Sequence, residues 1–237
     1  MAGLSRYPAA NAFATFSDAA DSVYGTGMDG DATLDGSSTV LSMAPSSSVY
    51  TMTKDLYFDD LTINAGVRLN PAGYRIFVKN VLTFAGNNAT IGFTTGFSTA
   101  GSIYQGGAAT TAVTHSLGGS ATGYAATAPT AALGGSEYFK VGPQAITGYS
   151  ITASGGPTWL RGGAGGSGQA GGGVVILAAR YISGPASGST GYIKAPATAP
   201  AGGGVIIIVS TGAALPETVS TDVTGQNAGT VNYIQLV

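Results

Sequence analysis

A glycine triplet runs straight into an apolar, β-branched segment twice, as GGGVVILAAR at 171–180 and GGGVIIIVST at 202–211. Few folds accept such a unit. Successive apolar residues leave no polar face, so each run reads as a strand covered on both sides. Glycine lets the backbone enter through conformations closed to other residues, and it lets neighbouring strands approach closely. The repeat therefore predicts two layers of one stacked β-core, with the segment between them looping out.

The region 56–93 carries the same logic in shorter steps. LTINAGVRLN at 61–70 and LTFAGNNATIG at 82–92 both open with Leu-Thr-apolar and turn through Ala-Gly or Asn. Leu61/Ile63, Val67/Leu69, Ile76/Val78, Leu82/Phe84 and Ala89/Ile91 alternate with Thr62, Arg68, Phe77, Thr83 and Thr90, a strand period of two. A three-residue strand buries little alone. Stacked turns of chain merge their small inward faces into one core. The expected fold is thus all-β, with β-solenoid-like stacked short strands and glycine-rich loops; the alternative is a β-sandwich of short hairpins. Further short β-prone runs are ATL and TVLSM within 24–58, and the closing AGTVNYIQLV alternates again.

Composition narrows the function. Charged residues make up 8% of the 237 positions, against roughly 25% in an average soluble domain. Hydrophobic residues reach 44%, enough for a core. With a net charge of −2 the chain has no basic field for phosphate, so nucleic acid is not an expected partner. There is no cysteine, which removes disulfides and thiolate metal sites. No stretch approaches the ~20 apolar residues of a membrane-spanning helix, and the N-terminus lacks a continuous apolar signal-peptide core. A soluble protein without membrane insertion is expected.

Four regions follow. Residues 1–23 form an N-terminal docking arm or strap, in which PAANAFATFSDAAD could make two helical turns; Tyr7, Phe13 and Phe16 are its candidate docking residues. Residues 24–93 are the β-rich rung region. Residues 94–160 are a loop-rich insertion whose aromatics are spaced singly. Residues 161–237 are the glycine-rich C-terminal β-region, and 24–237 is read as one domain. Tyr and Trp among Ser, Gly and Thr give large contact area at low entropy cost, which makes Tyr104, Tyr124, Tyr138, Tyr149 and Trp159 the candidate surface-binding residues.

Catalytic patterns are poor. The single His115 has no Ser-His-acid spacing around it. Asp29, Asp31 and Asp35 in MDGDATLDG begin like a calcium loop but lack the closing Glu. They read as turn-forming residues capping their own backbone; Asp55, Asp59 and Asp60 in KDLYFDD form the second cluster of carboxylates. GAGGSGQAGGG lacks GK[ST] and precedes a strand, so it is no phosphate loop. No metal, no cofactor and no enzymatic activity are expected.

The stretch YGTGMDGDATLDGSSTVLSMAPSSSVYTMTKDLYFDDLTINAGVRLNPAGYRIFVKNVLTFAGNNATIG resembles a pattern in tail-associated and other virion surface proteins of tailed bacteriophages. That pattern runs G-x-G-x-D-G-D, D-x-Y-x-x-L-T-I/V, a glycine, a leucine and G-Y-R-I-F-V. Here it falls on Tyr24–Asp31, Asp55–Ile63, Gly66, Leu69 and Gly73–Val78. The glycine runs before VVILAAR and VIIIVS, and the ending GTVNYIQLV, are similar too. The resemblance covers roughly 24–93 and 161–237. It implies a β-rich structural component of the virion exterior, intertwined or side by side as a homotrimer. Its partners would be other virion proteins and host-surface carbohydrate or protein. The short chain and interrupted glycine tracts point away from a long tail fibre and toward a compact spike, a minor tail protein or a capsid decoration protein; the aromatic middle segment makes a tail-associated spike or minor tail protein that contacts the host surface the expectation. The alternative is a capsid decoration or head-fibre protein bound to the shell through its N-terminal segment. Trimerisation through the glycine-bearing strands is the expectation, because unprotected β-edges seek partners.

Overall fold

A computed structural model of the chain describes residues 23–94, 171–199, 201–226 and 228–236, together with the backbone of 112–114, 120–122, 149–152 and 156–159. The strands are β1 (Gly30–Leu34), β2 (Val49–Thr51), β3 (Leu56–Ile63), β4 (Arg68–Asn70), β5 (Arg75–Phe84) and β6 (Thr90–Gly92). Four short ones follow: β7 (Ala112–Thr114), β8 (Ser120–Thr122), β9 (Tyr149–Thr152) and β10 (Gly156–Trp159). The last are β11 (Val174–Ser183), β12 (Gly191–Lys194), β13 (Val205–Ser210), β14 (Val219–Asp222) and β15 (Thr230–Gln235).

Two all-parallel sheets hold most of them. The first runs β1-β3-β5-β11-β13-β15 and the second runs β14-β12-β6-β4-β2. Neither closes into a barrel. The chain visits the sheets alternately: from β1 to β6 and from β11 to β15, odd strands enter the first and even ones the second. Two hairpins, β7-β8 and β9-β10, are antiparallel.

Register follows the sequence repeats. Leu61 pairs with Leu82 and Thr62 with Thr83, so the two Leu-Thr units lie side by side. Val174 pairs with Val205 through to Ala178 with Val209, so the two glycine-triplet units are neighbouring strands. All ten residues expected to face inward from 61 to 91 are buried in one core between the sheets. The same core takes Val175, Leu177, Ile206 and Ile208. The opposite faces of those strands form a second cluster, with Val174, Ile176, Ala178, Val205, Ile207 and Val209 beside Tyr24 and Phe77.

Three expectations change. Flexible entry does not explain the triplets: none of residues 171–173 or 202–204 has a left-handed φ. Close approach does. A Cβ on Gly204 would overlap the Gly173 carbonyl oxygen, and one on Gly172 would overlap the backbone of Gly204. Second, the segment between the triplets does not merely loop out. It carries β12, with Ile193 and Ala195 buried in the core. Third, TVLSM forms no strand; Leu41 and Ser42 take left-handed φ between bridged Val40 and Met43. Within one chain, β13 and the Val174–Ala179 part of β11 are bonded on both edges and buried on both faces, whereas Tyr181 at the far end of β11 is exposed.

Candidate functional site

The carboxylates of the N-terminal strands work across the stack. The register of the first sheet shifts once between β1 and β3, again between β3 and β5, and again between β5 and β11. The shifts align in one column: Asp31, then Asp59 and Asp60, then Lys79 and Asn80, then Arg180. A shifted residue leaves an N–H without a ladder partner, and the aspartates accept these. The Asp60 N–H donates to Asp31 Oδ1 at 3.2 Å, and the Val81 N–H to Asp60 Oδ1 at 2.8 Å. Beside the column, the Tyr57 N–H donates to Asp29 Oδ2 at 2.7 Å. Asp55 takes the Arg75 N–H and its guanidinium Nε, both at 2.8 Å.

Of the aspartates read as turn caps, Asp35 alone caps in the manner expected. It accepts the Ser37 and Ser38 N–H groups at 2.7 and 2.8 Å. These bonds, the Ser38 amide first, hold its carboxyl well below the usual carboxylate range. Asp29, Asp31, Asp55 and Asp60 bind the next layer instead. Their partners lie 20 to 29 residues away, which sequence reading could not pair. Among the described residues no three acids or histidines come together as a metal site.

The outward face of the second sheet is a surface that sequence reasoning missed. Strand alternation and register place Val49, Arg68, Thr90, Tyr192 and Ser220 in one outward row, and Thr51, Asn70, Lys194 and Asp222 in the next. Lys194 Nζ sits 4.1 Å from the centre of the Tyr192 ring, a cation–π contact. Arg68 is half-buried, its Nε is covered without a hydrogen-bond partner, and burial draws its guanidinium below the usual arginine value. Thr90 is buried and its hydroxyl donates to the Asn88 carbonyl, and Asn70 Oδ1 takes the Ala72 N–H. The accessible groups are the Thr51 and Ser220 hydroxyls, the Tyr192 ring, Lys194 and the Asp222 carboxylate, a mixed polar surface that can hydrogen-bond a polyhydroxylated ligand. The only signal in the sequence was the alternation of RLN and GYIK, each too short to place without its partner strand.

The expected binding aromatics are divided. Tyr149 and Trp159 are directly opposed backbone partners at the ends of the β9-β10 hairpin. Tyr104, Tyr124 and Tyr138 lie outside the described residues, as do Tyr7, Phe13, Phe16 and His115. The segment holding β7 to β10 enters the chain between β6 of the second sheet and β11 of the first. No protein-family model, no curated protein and no solved structure matches this chain.

Proposed function

We propose that the chain is a structural protein of a bacteriophage virion exterior, a tail-associated spike or minor tail protein that contacts the host surface. The sequence pattern from Tyr24 to Val78 supports the setting. One structural observation carries the reading. The chain alternates between two parallel sheets for three layers, leaves for the segment 95–170, and then resumes the same two sheets in register. We read this alternating path as a β-solenoid, a stiff shaft whose layers each add to one core.

A long insertion on a rigid scaffold is where binding loops are carried. The insertion holds Tyr104, Tyr124, Tyr138, Tyr149 and Trp159. Aromatic side chains of this kind stack on sugar rings and anchor protein contacts. In this reading the shaft positions and the insertion binds; no residue acts as a catalyst.

Gold-tagged antibody against the purified protein, applied to intact virions, tests it. Gold at the tail tip is the expected result. Gold over the head replaces the tail assignment with a decoration protein. Gold nowhere on the particle ends the virion reading. If gold marks the tail, Trp159→Ala is expected to lower host adsorption at unchanged thermal stability.

A further inference from the structure

The two ends of the stack differ. At the β1/β2 end the last inward residues are closed off: Leu34 and Tyr50 are fully buried, and Ala32 is 9% exposed. The loop 35–48 does this. Val40, Leu41 and Met43 pack against the core, and Tyr50 Oη donates to the Ser38 carbonyl at 2.8 Å while accepting the Gly36 N–H at 3.1 Å. At the β14/β15 end Leu215 and Val223 pack against the core, yet the last strand stays partly open. Val231, the inward residue opposite Ile206, is 37% exposed. Tyr233, Ile234 and Leu236 are only partly buried.

The β15 edge is also long, and among the described residues no strand pairs with its outer side. Its six residues, TVNYIQ, pair with β13 without a register shift and carry no charge, proline or glycine. Natural edges are normally blunted by such residues or by bulges. The β1 edge has both guards: Asp31 and a register shift. The Thr230 N–H donates to the Gly204 carbonyl just before β13, and the Leu236 N–H to the Ser210 carbonyl at its end. By strand alternation, Val231, Tyr233 and Gln235 point their N–H and C=O groups away from it.

We propose that this edge pairs with the same edge of a second copy, tail to tail across a two-fold axis. With Tyr233 opposite its own counterpart, Val231 faces Gln235 of the other copy. All three outward residues of each strand then find partners in an antiparallel ladder. The two-fold keeps inward faces together, so each Val231 is covered. The absence of charge lets identical edges meet without like-charge repulsion. Head-to-tail stacking is blocked, because loop 35–48 covers the other end. The association is independent of where the protein resides.

The test is the mass of the full-length chain by sedimentation over roughly 1–100 µM, a range suited to modest affinities. The wild type is expected to be a dimer at the upper end. The double variant V231K/Q235K sets lysine against lysine and is expected to be monomeric. V231K/Q235E sets lysine against glutamate and is expected to dimerise again, which a folding defect would not do. A wild-type monomer throughout, a trimer, or equal dimerisation of both variants would overturn the proposal. If V231K/Q235K does not fold, wild-type amide exchange decides. Slowing at Val231, Tyr233 and Gln235 with rising concentration supports the pairing, and unchanged exchange there overturns it.

Discussion

Replacing Gly204 with alanine tests why the glycine triplets exist. The site has no left-handed φ, so the new methyl group meets no intrinsic backbone penalty. It meets neighbours instead. The Cβ would overlap the Gly173 carbonyl oxygen, lie 2.7 Å from the Gly172 carbonyl carbon and 3.0 Å from the Ala195 Cβ. Carbon atoms prefer about 3.5–4.0 Å, so the Gly172 contact alone is some 0.8 Å too short. Two of the three obstacles are backbone and cannot rotate aside. Overpacking costs about 1–3 kcal/mol where a core can yield; here the upper end applies, about 3 kcal/mol. For a chain of this size each kcal/mol moves the melting temperature by roughly 2–4 °C, so a fall of about 6–12 °C is expected. Gly212→Ala is the control. It also lacks a left-handed φ, but its Cβ would meet only the Ala214 carbonyl oxygen and Tyr233 Oη, both at 3.3 Å. The gain from a stiffer unfolded chain, about 0.4–1 kcal/mol, offsets that mild crowding, so its melting temperature should stay within about 2 °C of wild type by the same conversion. Scanning calorimetry of the three proteins gives the comparison. If Gly204→Ala melts with the control, close strand approach is not what the triplets provide.

Three further outcomes follow from the side chains. Asp60→Ala should cost about 1–2 kcal/mol by leaving the Val81 N–H without its acceptor, with faster hydrogen exchange at Val81 than at Leu82. The Asp35 carboxyl is held below its unfolded value of about 3.9, so its contribution is present above that pH and fades as acid titrates it. Asp35→Asn should therefore flatten the stability loss below about pH 4, seen by melting temperature against pH. Burial pushes the Tyr24 hydroxyl up to about 12, and its oxygen is covered without a hydrogen-bond partner. Its folded form holds the proton longer than the unfolded chain, so stability is full below about pH 10 and falls toward pH 12. Tyr24→Phe should be neutral or stabilising at pH 7 and should lessen that alkaline loss.

Much of the candidate surface was illegible in the sequence for a physical reason. Arg68 and Tyr192 share an outward row, yet the segment 95–170 separates them along the chain. Their strands, RLN and GYIK, have three and four residues, too few for periodicity to declare them. The aspartates were legible as polar turn residues, but their amide partners belong to the next layer, and only stacking brings those within reach. The place of β15 at the edge of the described sheet is likewise a tertiary fact: TVNYIQ reads as a strand in isolation, and nothing local marks it as the last one.

What the sequence determined by itself was the inward face. Alternation is a local property of extended backbone, so Leu61 and Ile63 had to share a side of their strand, and Leu82 and Phe84 a side of theirs, whatever they packed against. The doubled triplet likewise required two covered strands at close spacing, and Val174 beside Val205 meets that requirement. Tertiary structure decided the rest. It set which strands are neighbours, sent β12 into the second sheet, and turned the register shifts into a column of carboxylate-to-amide bonds. It also closed one end of the stack over Leu34 and Tyr50 and, among the described residues, left Val231 at the other end 37% exposed. These outcomes depend on pairings across 20 to 100 residues, where hydrogen-bond geometry between layers chooses and local sequence preference does not.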